Sequence, residues 1–287
     1  MRQKLLGFGL IFACAVGSAY AQTRCGRSIL SCGCTITKTG YYSVDADLSG
    51  LQGLTSLNAC IDITAEHSKL FLNGHSVEGI EQDFDATAIH VLSTARYTMI
   101  EGSTATPRAG GQIIAGWKIG IQSDADNVFI DLPNIPGVIT AGILLNHTYN
   151  NRVSGAGPNG VGASNNGTYG VWIVGGNSNQ VNAGYSQDNG IAAVYVGCSS
   201  TGPTGTPCLP GQASSGKVIY NYRIASPGSQ QFQPYGIVLE AGSVRNTVIN
   251  TTVSGDNLFD LYDGNPGCAD NFWRVNKFTL ANQNCIH

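Results

Sequence analysis

Short apolar runs recur along the chain, and most of them begin at or beside a glycine. They read "KIGIQS" from Lys118, "TAGILLN" from Thr140, "TYGVWIV" from Thr168, "GIAAVYV" from Gly190, "PYGIVLE" from Pro234 and "LFDLYD" from Leu258. The interval is 22 residues from Gly120 to Gly142, 28 from Gly142 to Gly170, and 24 from Gly236 to Asp260. Apolar residues at helical spacing do not occur in these segments. A period in the low-to-mid twenties with short strands indicates a solenoid, in which stacked repeats share one continuous core.

A second recurring feature places an asparagine shortly before a hydrophobic residue. It is found in "DNVFI", "NNRVSG", "SNQVNA", "RNTVIN" and "DNFWRV", with the asparagines Asn127, Asn151, Asn179, Asn246 and Asn271. Asparagine tolerates the left-handed backbone of a tight corner, and its amide can bond the matching asparagine one repeat away. We therefore expect these residues to stack at one corner of the solenoid.

The two patterns together resemble the secreted right-handed parallel β-helix proteins of the pectate-lyase-like superfold, over about residues 58–280. The segments "CGCTITKTGYYSVDADL" and "CIDITAEHSKLFLNGHSVEG" resemble their first coils, and "CADNFWRVNKFTLANQNC" resembles a terminal coil. The resemblance implies an all-β, single-stranded right-handed parallel β-helix with disulfide-pinned ends. It does not imply one activity, because this fold hosts lyases, hydrolases, epimerases, adhesins and inert spacers.

The first 21 residues have the pattern of an export signal. Arg2 and Lys4 precede an apolar run over residues 5–16, and a small-x-small cleavage site ends at Ala21. A lipoprotein signal ending at Cys14 is the alternative. We expect an N-terminal cap and lead-in segment over 22–57, and a β-helix with a disulfide-closed last coil over 58–287. The predicted location is secreted, periplasmic or on the cell surface, without membrane insertion, because no further apolar run could span a bilayer.

Composition narrows the classes of partner. Only 11% of residues are charged and the net charge is −3. The chain has no cluster of lysines and arginines, which argues against nucleic acid as a partner. Glycine is abundant, with 38 residues, as expected for short strands joined by tight turns. The oligomeric state is left open by these features.

Eight cysteines remain after the signal, an even number that indicates disulfides in an exported chain. Cys198 and Cys208 would close a loop rich in Pro, Gly and Thr, and Cys268 and Cys285 would pin the C-terminus. Cys25, Cys32, Cys34 and Cys60 would pair among themselves, with three connectivities open. Zinc is the competing interpretation, but no C-x-x-C pair with a matching distal pair exists.

Alternation within each strand assigns side chains to the two faces. The predicted inward file consists of Ile89, Ile121, Ile143, Val171, Val194, Ile237 and Leu261. The predicted outward file consists of His90, Gln122, Leu144, Trp172, Tyr195, Val238 and Tyr262, with Lys118, Thr140 and Thr168 on one flank and Asp124, Asn146 and Glu240 on the other. Neighbours in a file would lie about 4.8 Å apart.

This outward file predicts a platform for an extended polysaccharide, because aromatic rings beside amides and carboxylates suit the faces and hydroxyls of sugars. The predicted substrate-binding residues are His90, Gln122, Asp124, Asn146, Trp172, Tyr195, Glu240 and Tyr262. The alternative is that Trp172 and Tyr195 are covered, either by the loop between Cys198 and Cys208 or by the long turn over residues 155–167.

Cleavage of a uronic-acid polymer by β-elimination needs a cation or amide cluster and a base. The candidate catalytic groups are Lys118 with Asp124, His147 with Tyr149, and Arg245 beside Asn246; each has a solvated turn as its alternative interpretation. Carboxylate pairs for glycoside hydrolysis are Asp83 with Asp85, Asp124 with Asp126, and Asp260 with Asp263. The basic signature of pectate lyases is missing, and of the polygalacturonase elements only "NGHS" around His75 has a counterpart.

No cofactor is predicted, and calcium lacks a dense aspartate cluster to hold it. The functional hypothesis is a secreted β-helix protein that binds an extended polysaccharide along one flank, with cleavage by β-elimination if it is an enzyme. The alternative is a non-catalytic glycan-binding, adhesive or structural envelope protein.

Overall fold

The computed structural model describes residues 23–50, 59–79, 85–102, 112–114, 116–131, 134–155, 162–209, 211–225 and 233–287. The predicted signal over residues 1–21 and the carboxylate of Asp83 lie outside these ranges. The described chain is almost entirely β-structure, and every strand pairing in it is parallel. The all-β fold predicted from the sequence is confirmed.

Two ten-stranded sheets run the length of the molecule. The first sheet contains strands Thr23–Arg24, Cys34–Ile36, Ile61–Ile63, Thr87–Val91, Ile119–Ser123, Ala141–Asn146, Tyr169–Val174, Ala192–Val196, Tyr235–Leu239 and Phe259–Asp263. The second sheet contains strands Ser28–Ile29, Gly40–Val44, Ser68–Phe71, Met99–Glu101, Phe129–Asp131, Arg152–Ser154, Gln180–Asn182, Val218–Tyr220, Thr247–Ile249 and Phe272–Arg274.

Three short sheets complete the remaining side. They contain strands Leu48–Ser49, Ser76–Glu78 and Gln112–Ile114; Ile135–Pro136 and Ala163–Ser164; and Tyr185–Ser186, Arg223–Ala225 and Thr252–Ser254. Because each turn of the chain contributes one strand to successive sheets, the fold is a single-stranded parallel β-helix. Its right-handed winding is the sense that parallel crossovers take in nearly all proteins.

The predicted inward file is confirmed. Ile61, which precedes the predicted members, pairs in register with Ile89, and the pairing continues through every position to Leu261. All members are buried in one core that also contains the inner residues of the second sheet. Removing this column from water is the main stabilising contribution, because no single coil could bury its own apolar face.

The recurring glycine has a steric cause. Glycines 120, 142, 170 and 236 turn towards the interior, one position before the inward file. A Cβ on Gly142 would lie 2.6 Å from the Cβ of Ala163, and one on Gly170 would lie 2.5 Å from the carbonyl oxygen of Ala193. In these four coils a side chain would meet atoms of the next coil or of the third side, so glycine is the residue that fits without a shift.

The predicted asparagine stack is present at the corner before the second sheet. The N–H of Asn151 donates to Asn179 Oδ1 at 2.8 Å, and the N–H of Asn246 donates to Asn271 Oδ1 at 3.0 Å. Asn127 does not belong to it, contrary to expectation. Strand register aligns Val128 with Asn151, and Val128 donates its N–H to Asn151 Oδ1. Asn127 instead holds the left-handed corner, with φ 58°.

All eight cysteines of the described chain form disulfides. Cys25–Cys34 and Cys32–Cys60 resolve the open connectivity near the N-terminus, and the predicted bridges Cys198–Cys208 and Cys268–Cys285 are both present. Four disulfides indicate an extracellular or periplasmic location. Within the described ranges, no helix is long and apolar enough to cross a membrane.

Candidate functional site

The outward file exists as predicted and divides into two halves. It runs in register through Asp62, His90, Gln122, Leu144, Trp172, Tyr195, Val238 and Tyr262. The N-terminal half is polar and partly open to solvent except at Leu144, which is apolar and 8% exposed, whereas the half that begins at Trp172 is aromatic and apolar. Asp124 and Asn146 lie two positions further along their own strands and flank the polar half.

Six residues of this half form one hydrogen-bonded group, the polar cluster, consisting of Asp62, His90, Gln122, Asp124, Asn146 and His147. The imidazole of His90 lies between two carboxylates. Its Nε2 is 2.7 Å from Asp124 Oδ2, and its Nδ1 is 3.6 Å from Asp62 Oδ1. Because these residues come from four successive coils, stacking alone brings them together.

Asp124 is the centre of the polar cluster. It accepts hydrogen bonds from Gln122 Nε2 at 3.1 Å and from Asn146 Nδ2 at 2.9 Å, in addition to its contact with His90. The strand Ile119–Ser123 ends immediately before it, so its side chain reaches across the sheet edge towards both neighbouring coils. A carboxylate held by three donors is fixed in position and stays charged.

The electrostatics of the polar cluster follow from these contacts. Burial by itself would lower the pKa of His90, but the hydrogen bonds and negative charges of Asp124 and Asp62 outweigh it and raise the pKa to about 9. Burial would raise the pKa of Asp124, yet the hydrogen bonds from His90, Asn146 and Gln122 bring it below the usual value. His90 is therefore an imidazolium at neutral pH.

The hydrogen-bond chain also orients His147. Asn146 donates from its Nδ2 to Asp124, so its Oδ1 faces His147 Nδ1 at 2.8 Å as an acceptor. This contact selects the tautomer in which His147 Nδ1 carries the proton and Nε2 is the acceptor. His147 is exposed, in a left-handed turn with φ 55°. The polar cluster thus ends at a base nitrogen in contact with solvent.

The side chains at the centre can be reached by a ligand. His90 has 20% of its side chain exposed and Asp124 has 27%, whereas Asp62 has 7%. A sugar hydroxyl could therefore contact His90 and Asp124, while Asp62 supports His90 from behind. Asp62 was missed in the sequence analysis because "CIDIT" lacks the glycine of the later coils. Extending the predicted outward file by one coil towards the N-terminus, from His90, identifies Asp62.

Two predicted binding residues are covered. Tyr195 points outward but is fully buried, and Glu240 is 1% exposed. Glu240 Oε2 accepts the backbone N–H groups of Cys198 at 2.7 Å and Ser199 at 3.0 Å, so it fastens the loop over the sheet. The alternative interpretation, that the loop between the two cysteines covers the aromatic residues, is correct for Tyr195.

Trp172 and Tyr262 are half-buried and border that covered region. Trp172 Nε1 donates to Gly197 O at 2.9 Å, which leaves the ring at the boundary between the polar cluster and the loop. Tyr262 packs at the opposite end of the sheet, with Tyr235 and Phe259 at ring-centre distances of 5.4 and 5.9 Å. The predicted aromatic platform is therefore interrupted between these two rings.

The predicted catalytic groups are not assembled as expected. Lys118 precedes the strand Ile119–Ser123 and binds Asp85 at 3.0 Å, whereas Asp124 follows the same strand at its other end. His147 contacts Asn146, and the N–H of Tyr149 instead donates to Asp126 Oδ1 at 2.9 Å.

The remaining candidates lie away from the polar cluster. Arg245 is exposed at a left-handed corner before the strand Thr247–Ile249 of the second sheet. Asp263 accepts Trp273 Nε1 at 2.9 Å, and Asp260 accepts the N–H of Leu280 at 3.0 Å. These two carboxylates close the C-terminal coil and are not available to a sugar.

One group of three potential metal ligands occurs in the described chain, namely Cys198, Cys208 and Glu240. The two sulfur atoms are joined in a disulfide, so this group does not fit a metal ion. The expectation that no cofactor is bound stays a prediction.

Comparisons with known proteins add little. No family model matches the chain, and no curated protein matches it. One similar solved structure is an alginate lyase from Paenibacillus sp. str. FPU-7, with 16% sequence identity and a TM-score of 0.41, over 89% of this chain and 92% of that one. This likeness is too distant to inform the activity or the site.

Proposed function

We propose that the protein binds an extended polysaccharide along the polar half of the outward file and cleaves it beside His147. The observation that carries the proposal is the chain of contacts from Asp62 through His90, Asp124 and Asn146 to the exposed imidazole of His147. This chain sets the charge of one imidazole and the tautomer of another, which are the requirements for proton transfer.

The binding part of the proposal depends on the chemical groups that the polar cluster and Trp172 present to solvent. Carboxylate, imidazolium and amide groups offer directional hydrogen bonds to hydroxyls, and Trp172 at the boundary offers an apolar face. From His90 to Trp172 the file crosses three strand spacings, or about 14 Å. That length accommodates several sugar units of a chain lying along the helix axis.

The cleavage part assigns one role to each imidazole. His147 Nε2 would remove the proton at C5, next to the carboxyl group of a uronic acid. As the C4–C5 double bond forms, the glycosidic C4–O bond breaks and the departing oxygen takes a proton from water. His90 is the cation of the polar cluster and would stabilise the negative charge that develops there. Asp124 would hold both histidines in place, directly and through Asn146. Gln122 would donate to the same carboxylate and to substrate oxygen atoms.

A second candidate is non-catalytic binding of a neutral glycan. It is favoured by the charge balance, because Asp62 and Asp124 as carboxylates with one imidazolium give the cluster a formal charge of −1. A polymer with a carboxylate on every sugar would meet a repulsive field there. Neutral hydroxyls would meet only hydrogen-bonding partners.

The experiment uses the mature protein with alginate and polygalacturonate as uronate polymers and with mannan as a neutral one. Binding is measured by affinity electrophoresis, and cleavage is measured by absorbance of unsaturated products. We expect product from a uronate polymer and none from His147→Asn, which retains binding. Arg245→Asn is the matched control, since it changes an exposed left-handed residue of the second sheet and should leave cleavage unchanged.

Each outcome decides between the candidates. Unsaturated product lost on His147→Asn supports the proposal. Binding without any product would support the second candidate, and product formation unaffected by His147→Asn would refute the assigned base. No binding to any of the three polymers would refute polysaccharide recognition altogether.

A further inference from the structure

We infer that the polar cluster receives the end of a polysaccharide chain rather than its middle, because the loop closed by Cys198 and Cys208 blocks the groove beyond Trp172. This inference rests on the proposed function and specifies its substrate. The blocking segment comprises residues 198–209 and is called the wall loop below.

The burial of outward-pointing residues shows that something outside the β-helix covers them. Tyr195 and Val238 occupy consecutive outward positions, yet neither has any exposed surface. Tyr169 is also fully buried outside the main core, in a separate cluster with Tyr195. A sugar chain lying along the file cannot pass through positions that are already covered.

Hydrogen bonds identify the wall loop as the cover. The hydroxyl of Tyr169 donates to Ser199 O at 2.8 Å and accepts the N–H of Gly202 at 3.0 Å. Beside it, the indole of Trp172 donates to Gly197 O at the start of the loop. The polar tips of Tyr169 and Trp172 are thereby used by the loop, so they are unavailable to a ligand.

The wall loop is fastened at both ends. The Cys198–Cys208 disulfide closes it, and the N–H of Cys208 donates to Ala241 O at 3.1 Å. Glu240 adds a buried carboxylate that accepts two loop N–H groups, the strong charge-assisted kind of hydrogen bond. A loop held in this way is a fixed part of the binding surface.

The chain segment after Cys208 also approaches the coil that carries the proposed base. A Cβ built on Gly175 would lie 2.8 Å from Gly211 O and 2.8 Å from His147 Cδ2, so Gly175 lies against both residues. The opposite direction, through Gln122 to His90, retains half-buried polar side chains that reach solvent. A bound chain can therefore extend from His147 towards His90 but cannot continue past Trp172.

The test counts binding sites on polymers of different length. Alginate, polygalacturonate and mannan are each prepared at two mean chain lengths that differ twofold, and saturation binding of the mature protein is measured per gram of polymer. Recognition of chain ends should double the number of sites per gram in the shorter preparation. Recognition of internal segments should leave that number unchanged and would overturn the inference.

A variant with a shortened wall loop supplies the causal test. Replacing residues 200–206 by two glycines keeps both cysteines but removes the cover, and the ratio of sites between the two preparations should fall from about two towards one. Thr204→Gly changes only the exposed tip and is the matched control, with an expected ratio that stays at about two. An unchanged ratio in a folded, shortened variant would show that the loop does not cause the selectivity.

The outcomes separate this inference from the proposed function. Absence of binding to all three polymers refutes both. Binding that is independent of chain length refutes the chain-end inference and leaves polysaccharide recognition in place. If the shortened variant does not fold, the chain-length comparison on the native protein still decides the matter.

Discussion

Lys217 occupies a position in the asparagine stack at which an asparagine side chain would accept a backbone hydrogen bond, as its neighbours in the stack do. It lies between Asn179 and Asn246 in the register of the second sheet, and its own N–H donates to Asn246 Oδ1 at 3.0 Å. Its side chain is fully buried, and its Nζ has no hydrogen-bond partner within the described chain. We predict that Lys217→Asn stabilises the protein at neutral pH and destabilises it at pH 10.5.

The magnitude follows from the buried amine. Burial lowers the pKa of Lys217 from 10.5 to about 7. Between these values the unfolded chain holds a proton that the folded protein lacks, so the free energy of unfolding rises with pH. At pH 7 and below, the shift corresponds to about 4–5 kcal/mol of destabilisation, which disappears above pH 10.5.

Two further contributions decide whether the substitution raises or lowers the free energy of unfolding. An asparagine would add one ladder hydrogen bond of about 1 kcal/mol, while the loss of three buried methylenes removes about 2.4 kcal/mol. When the cost of the cavity is included, Lys217→Asn should raise the free energy of unfolding by about 1–3 kcal/mol at pH 7. At pH 10.5 it should lower the free energy of unfolding by about 1 kcal/mol or more.

Urea unfolding followed by circular dichroism at pH 7 and pH 10.5 measures both values. Lys217→Met is the matched control, because it retains volume and removes the charge without supplying an acceptor. This variant should be more stable than the native protein at pH 7 and about equally stable at pH 10.5. A difference between native protein and either variant that does not change with pH would refute the buried neutral amine.

Three other predictions use the same preparations. Burial raises the pKa of Asp256 to about 8, so stability should fall as pH rises from about 4 to 8; in Asp256→Asn the urea midpoint should not follow that decline, and an unaltered profile would contradict the assignment. Gly170→Ala should lower the free energy of unfolding by about 1–3 kcal/mol, because the new Cβ would lie 2.5 Å from a carbonyl oxygen. A urea midpoint equal to that of the native protein would show that the backbone shifts to accommodate the methyl group without loss of stability. NMR titration should find His90 protonated at about pH 7.5, and Asp124→Asn should lower the pKa of His90 by at least about one unit. Superimposable titration curves for the native protein and the variant would exclude coupling between His90 and Asp124.

The repeat made the core predictable. Strand alternation and the spacing of glycines predict Ile121, Ile143 and Val171 in one inward file, because side-chain direction within a strand is a local property. Proximity between strands could also be predicted, as for Gln122 and Leu144. The error over Asn127 came from a one-residue shift in register, which the hydrophobic pattern does not resolve where the next residue, Val128, is also apolar.

The candidate site was predictable as a set of residue types and not as a set of contacts. His90, Gln122, Asp124 and Asn146 were all placed on the correct face. Their bonding to one another, and to His147, depends on which side chains meet across coils 22 to 34 residues apart. Lys118 illustrates the limit, because it is close to Asp124 in sequence but lies at the other end of the same strand.

The amino-acid sequence by itself determined the winding of the chain, the direction of each strand residue and the need for glycine and asparagine at the corners. These properties arise from backbone sterics and from the period of the hydrophobic residues. The tertiary structure alone decided that Tyr195 and Glu240 are hidden under a disulfide-closed loop while His90 and Asp124 remain open. Exposure of an outward residue depends on whichever distant segment packs over it, and no local pattern encodes that contact.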